Sequence, residues 1–112
     1  VLANDRPKLQ RLFSDAFATS GAEALLLPTT PCTAPEIGKE NQFLIAGQDV
    51  TFAALAKNTV PASGAGLPGI SLPMGNASNG LPIGLEIDAP FGEDRRLLSL
   101  ARRVEALDIS SL

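Results

Sequence analysis

Not one histidine occurs among the 112 residues of this chain. A Ser-His-Asp or Cys-His catalytic device therefore cannot be built within it, nor can a histidine-ligated zinc site. Cysteine is nearly as scarce. Cys32 stands alone, which excludes an intrachain disulfide and a thiolate metal cluster. As a nucleophile Cys32 would need a base and a lowered pKa, and no imidazole is present to supply either, so it reads as a structural or pocket-wall thiol. No apolar run approaches the ~18 residues of a membrane span, and no charged stretch leading into an apolar one opens the chain. Basic runs are also missing. With a net charge of −3 and an isoelectric point near 4.8, nucleic acid is not expected as a partner. These absences together predict a soluble protein in a reducing, cytoplasmic setting, with no membrane partner, metal or cofactor.

What is present suffices for a core. Hydrophobic residues make up 45% of the chain, and a domain of this length buries about 60–70% of its unfolded surface. The densest positive cluster, Arg95, Arg96, Arg102 and Arg103, is interleaved with apolar residues, as on the solvated face of an amphipathic helix. Asp5, Asp15, Glu36 and Glu40 form no spaced pair suited to acid–base work or metal binding.

Along the chain, residues 4–20 carry Leu9, Leu12, Phe13, Ala16 and Phe17 at the spacing of a buried helical stripe. Asn4 or Asp5 can cap the start, Pro7 suits the first turn and Gly21 the C′ position. Ala22–Leu27 is a short, nearly continuous apolar run, expected to be a strand covered on both faces. Pro28–Gly38 holds three prolines, which forbid a regular element, so an ordered loop is predicted. Residues 43–50 suggest a short strand and a turn around Gly47; Thr51 then caps a helix from Phe52 towards Asn58, with Phe52, Leu55, Ala56 and Thr59 on one face, ended or kinked by Pro61.

Two period-2 segments follow. Ile70, Leu72 and Met74 alternate with Ser71 and Pro73, and Ile83, Leu85 and Ile87 with Gly84, Glu86 and Asp88. The Asn/Ser/Gly-rich turn between them predicts neighbouring antiparallel strands, with Pro73 and Pro82 at strand ends or on an edge. Glu93–Leu107 is a helix with Leu97, Leu98, Ala101, Val104 and Leu107 facing inward. The order of elements implies an α/β or α+β layer, with three or four strands that look like part of a larger sheet.

Three segments, in order, carry a resemblance: EALLLPTTPCTAPEIG, NTVPASGAGLPGISLPMG and GLPIGLEIDAPFGEDRRLLSLARRVE. Together they resemble the C-terminal third of amidase signature enzymes, over nearly the whole chain. Asn58-Thr59 and Ala65-Gly66-Leu67-Pro68-Gly69 look closest to the mandelamide and indoleacetamide hydrolases. The resemblance implies an α/β fold: a large mixed sheet, of which residues 1–112 would supply three to four strands flanked by three helices. It further implies amide hydrolysis by a serine nucleophile, a second serine on a cis peptide and a lysine base, with a Gly/Ser-rich loop holding the oxyanion. Such a device needs no histidine.

Those catalytic residues lie upstream of this region in family members, and no Gly-Gly-Ser-Ser-Gly-like run occurs here. Ser63 and the Ser110-Ser111 pair lack the context, Ser63 stands where many relatives carry Asn, and none of Lys8, Lys39 and Lys57 can be assigned as the base. The chain is thus expected to be a C-terminal segment without a catalytic residue of its own. Thr29, Thr30, Pro31 and Cys32 are the candidates for the wall of the amide-substrate pocket, because a strand running into an irregular loop is a usual site of ligand contact in α/β folds. Self-association of the isolated chain is expected. The alternatives are a noncatalytic α/β binding module and the A subunit of a tRNA-dependent amidotransferase, against which residues 58–69 count.

Overall fold

The computed structural model describes residues 2–107. Helix α1 spans Leu2–Ser20. Strand β1 (Leu25–Pro28) follows, then the proline-rich loop and a two-stranded ribbon of β2 (Phe43–Ile45) and β3 (Gln48–Val50). A single 3-10 turn at Phe52–Ala56 leads into the short helix α2 (Val60–Ala65). Strands β4 (Gly69–Asn76) and β5 (Pro82–Asp88) and helix α3 (Asp94–Glu105) complete the chain.

The main sheet has the order β1-β5-β4, and both pairings are antiparallel. As the alternation predicts, Ile70 sits opposite Ile87 and Leu72 opposite Leu85, so one face is apolar. Helix α3 covers that face. Leu72, Ile87, Ala89, Leu97 and Ala101 form the buried cluster, with Ala24, Ile70, Leu85, Leu100 and Val104 packed around it. Ile87 is fully enclosed, a burial worth roughly 1.5–3 kcal/mol. Pro82 opens β5, and Pro73 lies on the edge strand β4 beside an irregularity in the register at Pro73/Gly75. Both prolines therefore avoid breaking a central ladder.

Several details depart from the sequence reading, each for a local reason. The inward residues of α3 are Leu97, Leu100, Ala101 and Val104; Leu98 and Leu107 are exposed. Those four follow the i, i+3, i+4, i+7 phase, which leaves Leu98 a quarter-turn off the core. On α1, Leu9, Phe13 and Phe17 are half-buried while Leu12 and Ala16 face solvent, so the covered stripe is narrower than the apolar pattern. The helix also begins at Leu2, which places Asn4 and Asp5 within its first turn and Pro7 inside it. Gly21 ends it in the left-handed region, its N–H bonded to the Phe17 carbonyl at 3.0 Å. Residues 43–50 form two strands, joined by Ala46 and Gly47 with φ of 49° and 81°, the signs of a type I′ hairpin. Pro61 does not end a helix. It stands in the first turn of α2, where its missing N–H is harmless.

Strand β1 is uncovered in the segment taken by itself: Leu25 and Leu26 are 41% and 55% exposed, the opening expected of a strand that belongs to a larger sheet. Among the described residues β1 is an edge with β5 as its one strand partner, and of its leucines only Leu27 is half-buried. The whole chain shows the same openness. Its accessible surface is 7866 Å², against about 5,800 Å² for a self-contained monomer of this mass. Its radius of gyration is 15.7 Å, where about 13 Å is usual.

Candidate functional site

Opposite α3, the β4–β5 part of the other face is polar, while β1 places Leu25 and Leu27 on that face beside Asp88 and Glu86. Ser71 on β4 pairs in register with Glu86 on β5, and Gly69 with Asp88. Thr29, just past β1, brings its Oγ1 to 2.6 Å from Ser71 Oγ, while its N–H bonds the Gly84 carbonyl at 3.0 Å. Helix α2 lies along this face and contributes Thr59 and Ser63 to a cleft of about 220 Å³ shared with Thr29, Ser71, Glu86 and Asp88. Ala62 and Ala65 are the buried residues of α2, and their small side chains let it approach closely. Gln10 of α1 fixes the far end, its Nε2 donating to the Ala65 carbonyl at 3.0 Å.

Glu86 and Asp88 are 4% and 3% exposed, a depth rare for carboxyl groups without a charged partner. Two residues apart on one strand, they must share a face. Removal from water raises the Glu86 pKa to about 8, and the neighbouring Asp88 adds to it through hydrogen bonding and like charge. Sequence reasoning passed over this pair as the polar half of an alternating strand. The sequence carried the alternation of the two acids; that their strand is central came only with the sheet order.

The four residues expected at a substrate wall are divided between two cavities. Thr29 faces the carboxyl cleft, whereas Thr30, Pro31 and Cys32 line a separate cavity of about 200 Å³ with Pro82 and Ile83. The loop is ordered by side-chain bonds, as its prolines suggested. Asn58 Nδ2 donates to the Pro28 carbonyl at 2.9 Å, Thr30 Oγ1 to the Cys32 carbonyl at 2.6 Å, and Asn79 Nδ2 to Thr33 Oγ1 at 3.3 Å. Cys32 is half-buried and free.

The structure brings no lysine to either cavity. Lys8, Lys39 and Lys57 are exposed, and Lys39 pairs with Glu36 at 3.1 Å on the surface. Asp5, Asp15, Glu36 and Glu40 are exposed as well. Ser63 edges the carboxyl cleft; Ser110 and Ser111 lie outside the described residues. Among the described residues no group of three or more metal-ligating side chains occurs, and no helix is long and apolar enough to cross a membrane.

Comparison with known proteins agrees with this architecture. The family model for Amidase matches residues 2–98. The indoleacetamide hydrolase of Agrobacterium vitis is 41% identical over 101 residues, covering 89% of this chain and 22% of that protein. The mandelamide hydrolase of Pseudomonas putida is 42% identical over 108 residues, covering 96% of this chain and 20% of that protein. A crystal structure of an amidase superposes with a TM-score of 0.82 at 31% identity, over 93% of this chain and 23% of that one. The chain thus spans about a fifth of the length of the curated relatives it matches. Its fold is the corresponding part of an amidase fold, and the chain belongs to the amidase family.

Proposed function

We propose that this chain is the C-terminal segment of an amidase domain that hydrolyses a carboxamide to a carboxylate and ammonia, with arylacetamides as the substrate class. The observation that carries the reading is the match to indoleacetamide and mandelamide hydrolases over about nine-tenths of this chain and only a fifth of theirs. In this reading a Ser-cisSer-Lys triad outside the chain performs acyl transfer. Its serine attacks the amide carbonyl, backbone N–H groups hold the oxyanion and ammonia leaves. A lysine acting as base must be neutral, which requires burial, and the three lysines here are all exposed.

Residues 1–112 alone should therefore release no ammonia from indoleacetamide or mandelamide, whereas the native polypeptide carrying them should. Turnover by the purified segment that vanishes on mutating one of its own residues would overturn this assignment, and so would a native polypeptide inert towards aryl amides.

The segment's contribution is a wall of the acyl pocket, formed by Thr30, Pro31 and Cys32, while the neighbouring Thr29 faces the carboxyl cleft. Thr30 is an exposed residue at the mouth of the 200 Å³ cavity, so a larger side chain can be placed there without disturbing the core. In the native polypeptide, Thr30→Trp should change KM or substrate preference several-fold while altering stability by no more than about 0.5 kcal/mol. Kinetics unchanged across several amides would remove the loop from the site.

A further inference from the structure

We propose that the cleft walled by Glu86 and Asp88 is a receptor for a primary ammonium or guanidinium group. Two independent observations meet there. The first is the composition of the wall: its polar side chains are two carboxyls and the hydroxyls of Thr29, Thr59, Ser63 and Ser71, with no basic residue among them. When ionised, both carboxylates only accept hydrogen bonds, and hydroxyl oxygens can accept as well, so the ionised cleft calls for a donor. The second is that Glu86 Oε2 and Asp88 Oδ2, on side chains more than nine-tenths buried, meet no hydrogen-bond partner. Buried carboxylate oxygens are seldom left in that condition, because desolvation without compensation is unfavourable.

The backbone leaves room beside them. A Cβ at Gly69 would lie 2.5 Å from Asp88 Oδ1, and one at Gly84 would lie 2.8 Å from both Ser71 Oγ and Thr29 Oγ1. Glycine at both positions keeps the acceptors accessible from the sheet side. The volume, about 220 Å³, is below the roughly 300 Å³ minimum of sites for drug-sized ligands. It suits the head of one amine or one long basic side chain. Three N–H bonds of an ammonium, or the planar fork of a guanidinium, can bridge the two carboxyls and a hydroxyl.

The ammonium can come from a free small amine or from a lysine or arginine of the same polypeptide. Both sources are tested by following the side-chain carboxyl signals of labelled Glu86 and Asp88 by NMR in the native polypeptide, at about pH 9 so that Glu86 is ionised. Ethylammonium is the probe, and tetramethylammonium, with the same charge and no N–H, is the control. Saturable shifts with ethylammonium alone, weakened roughly ten- to a hundredfold by Glu86→Gln and by Asp88→Asn, establish a small-amine site. Gly69→Ala, which keeps both carboxyls, should block the same response. If the signals are indifferent to ethylammonium but lysine or arginine side-chain protons show contacts to Thr29 and Ser71, the occupant is the polypeptide's own side chain. Indifference with no such contacts overturns the proposal, as does an equal response to tetramethylammonium.

Discussion

Replacing Glu86 with glutamine is expected to stabilise residues 1–112 at neutral and alkaline pH by a few kcal/mol and to flatten the pH dependence of folding. The Glu86 carboxyl has a pKa of about 8 in the fold, against 4.5 for an ordinary glutamate, chiefly because it is buried and secondarily because Asp88 lies beside it. Between those values the folded chain holds a proton that the unfolded chain has released. Stability is therefore fully present below about pH 4.5, declines as pH rises through the window and levels off above about pH 8. The slope approaches about 1.4 kcal/mol per pH unit within it. Glutamine keeps the shape of the side chain and cannot ionise, so the variant should gain most where the wild type loses most. Urea unfolding from pH 5 to 9, followed for both proteins, measures this directly. Parallel profiles would mean that Glu86 does not carry the proton assigned to it. Asp88→Asn gives a second reading of the same effect, since removing the neighbouring charge should steepen less of the curve and move its upper limit to lower pH.

The isolated chain is also expected to self-associate. Its main sheet ends at β1 and β4, and the two edges are not equivalent. β4 carries Pro73, which has no N–H to donate, and an irregular register at Pro73/Gly75; both features discourage pairing with another strand. β1 has neither protection before its terminal Pro28, and its Leu25 and Leu26 are about half exposed. Full burial of each leucine is worth roughly 1.5–3 kcal/mol, so covering the two exposed halves in both copies contributes several kcal/mol to a dimer. Sedimentation equilibrium should show mass rising above 11.6 kDa as concentration increases from micromolar upward. Leu26→Lys, which places a charge on that edge, should return the chain to monomer by weakening association at least about tenfold. A monomeric, cooperatively melting wild type across the whole range would show that the β1 edge is not sticky, and an unaltered Leu26→Lys profile would move the interface elsewhere.

Much of this protein was determined by the sequence alone. The period-2 runs around Ile70–Leu72 and Ile83–Ile87, separated by a turn-rich stretch, specify two antiparallel strands, because alternation fixes which face each side chain takes. Prolines 28, 31 and 35 specify an ordered irregular loop by removing the donors a regular element needs. The three linked motifs pointed to the amidase family, and the family match over residues 2–98 bears that out.

Other features were decided only in three dimensions. Leu25–Leu27 reads as a strand covered on both faces, and the three-stranded sheet of this segment leaves Leu25 and Leu26 open, because burial depends on what packs above and beside a strand. The phase of α3 turned on a single step: Leu97 and Leu98 are equally apolar, and contact with Ile87 and Ala89 selected Leu97. Thr29 and Thr30 are adjacent in sequence but open onto different cavities; both lie in the bend that follows β1, and local composition does not say which side each takes. Above all, Glu86 and Asp88 look like the solvent half of an amphipathic strand. They became a buried acidic pair in a cleft shared with Thr59, Ala62 and Ser63, residues distant from them in sequence. A strand's alternation states that two acids share a side; only the tertiary structure decides whether that side meets water.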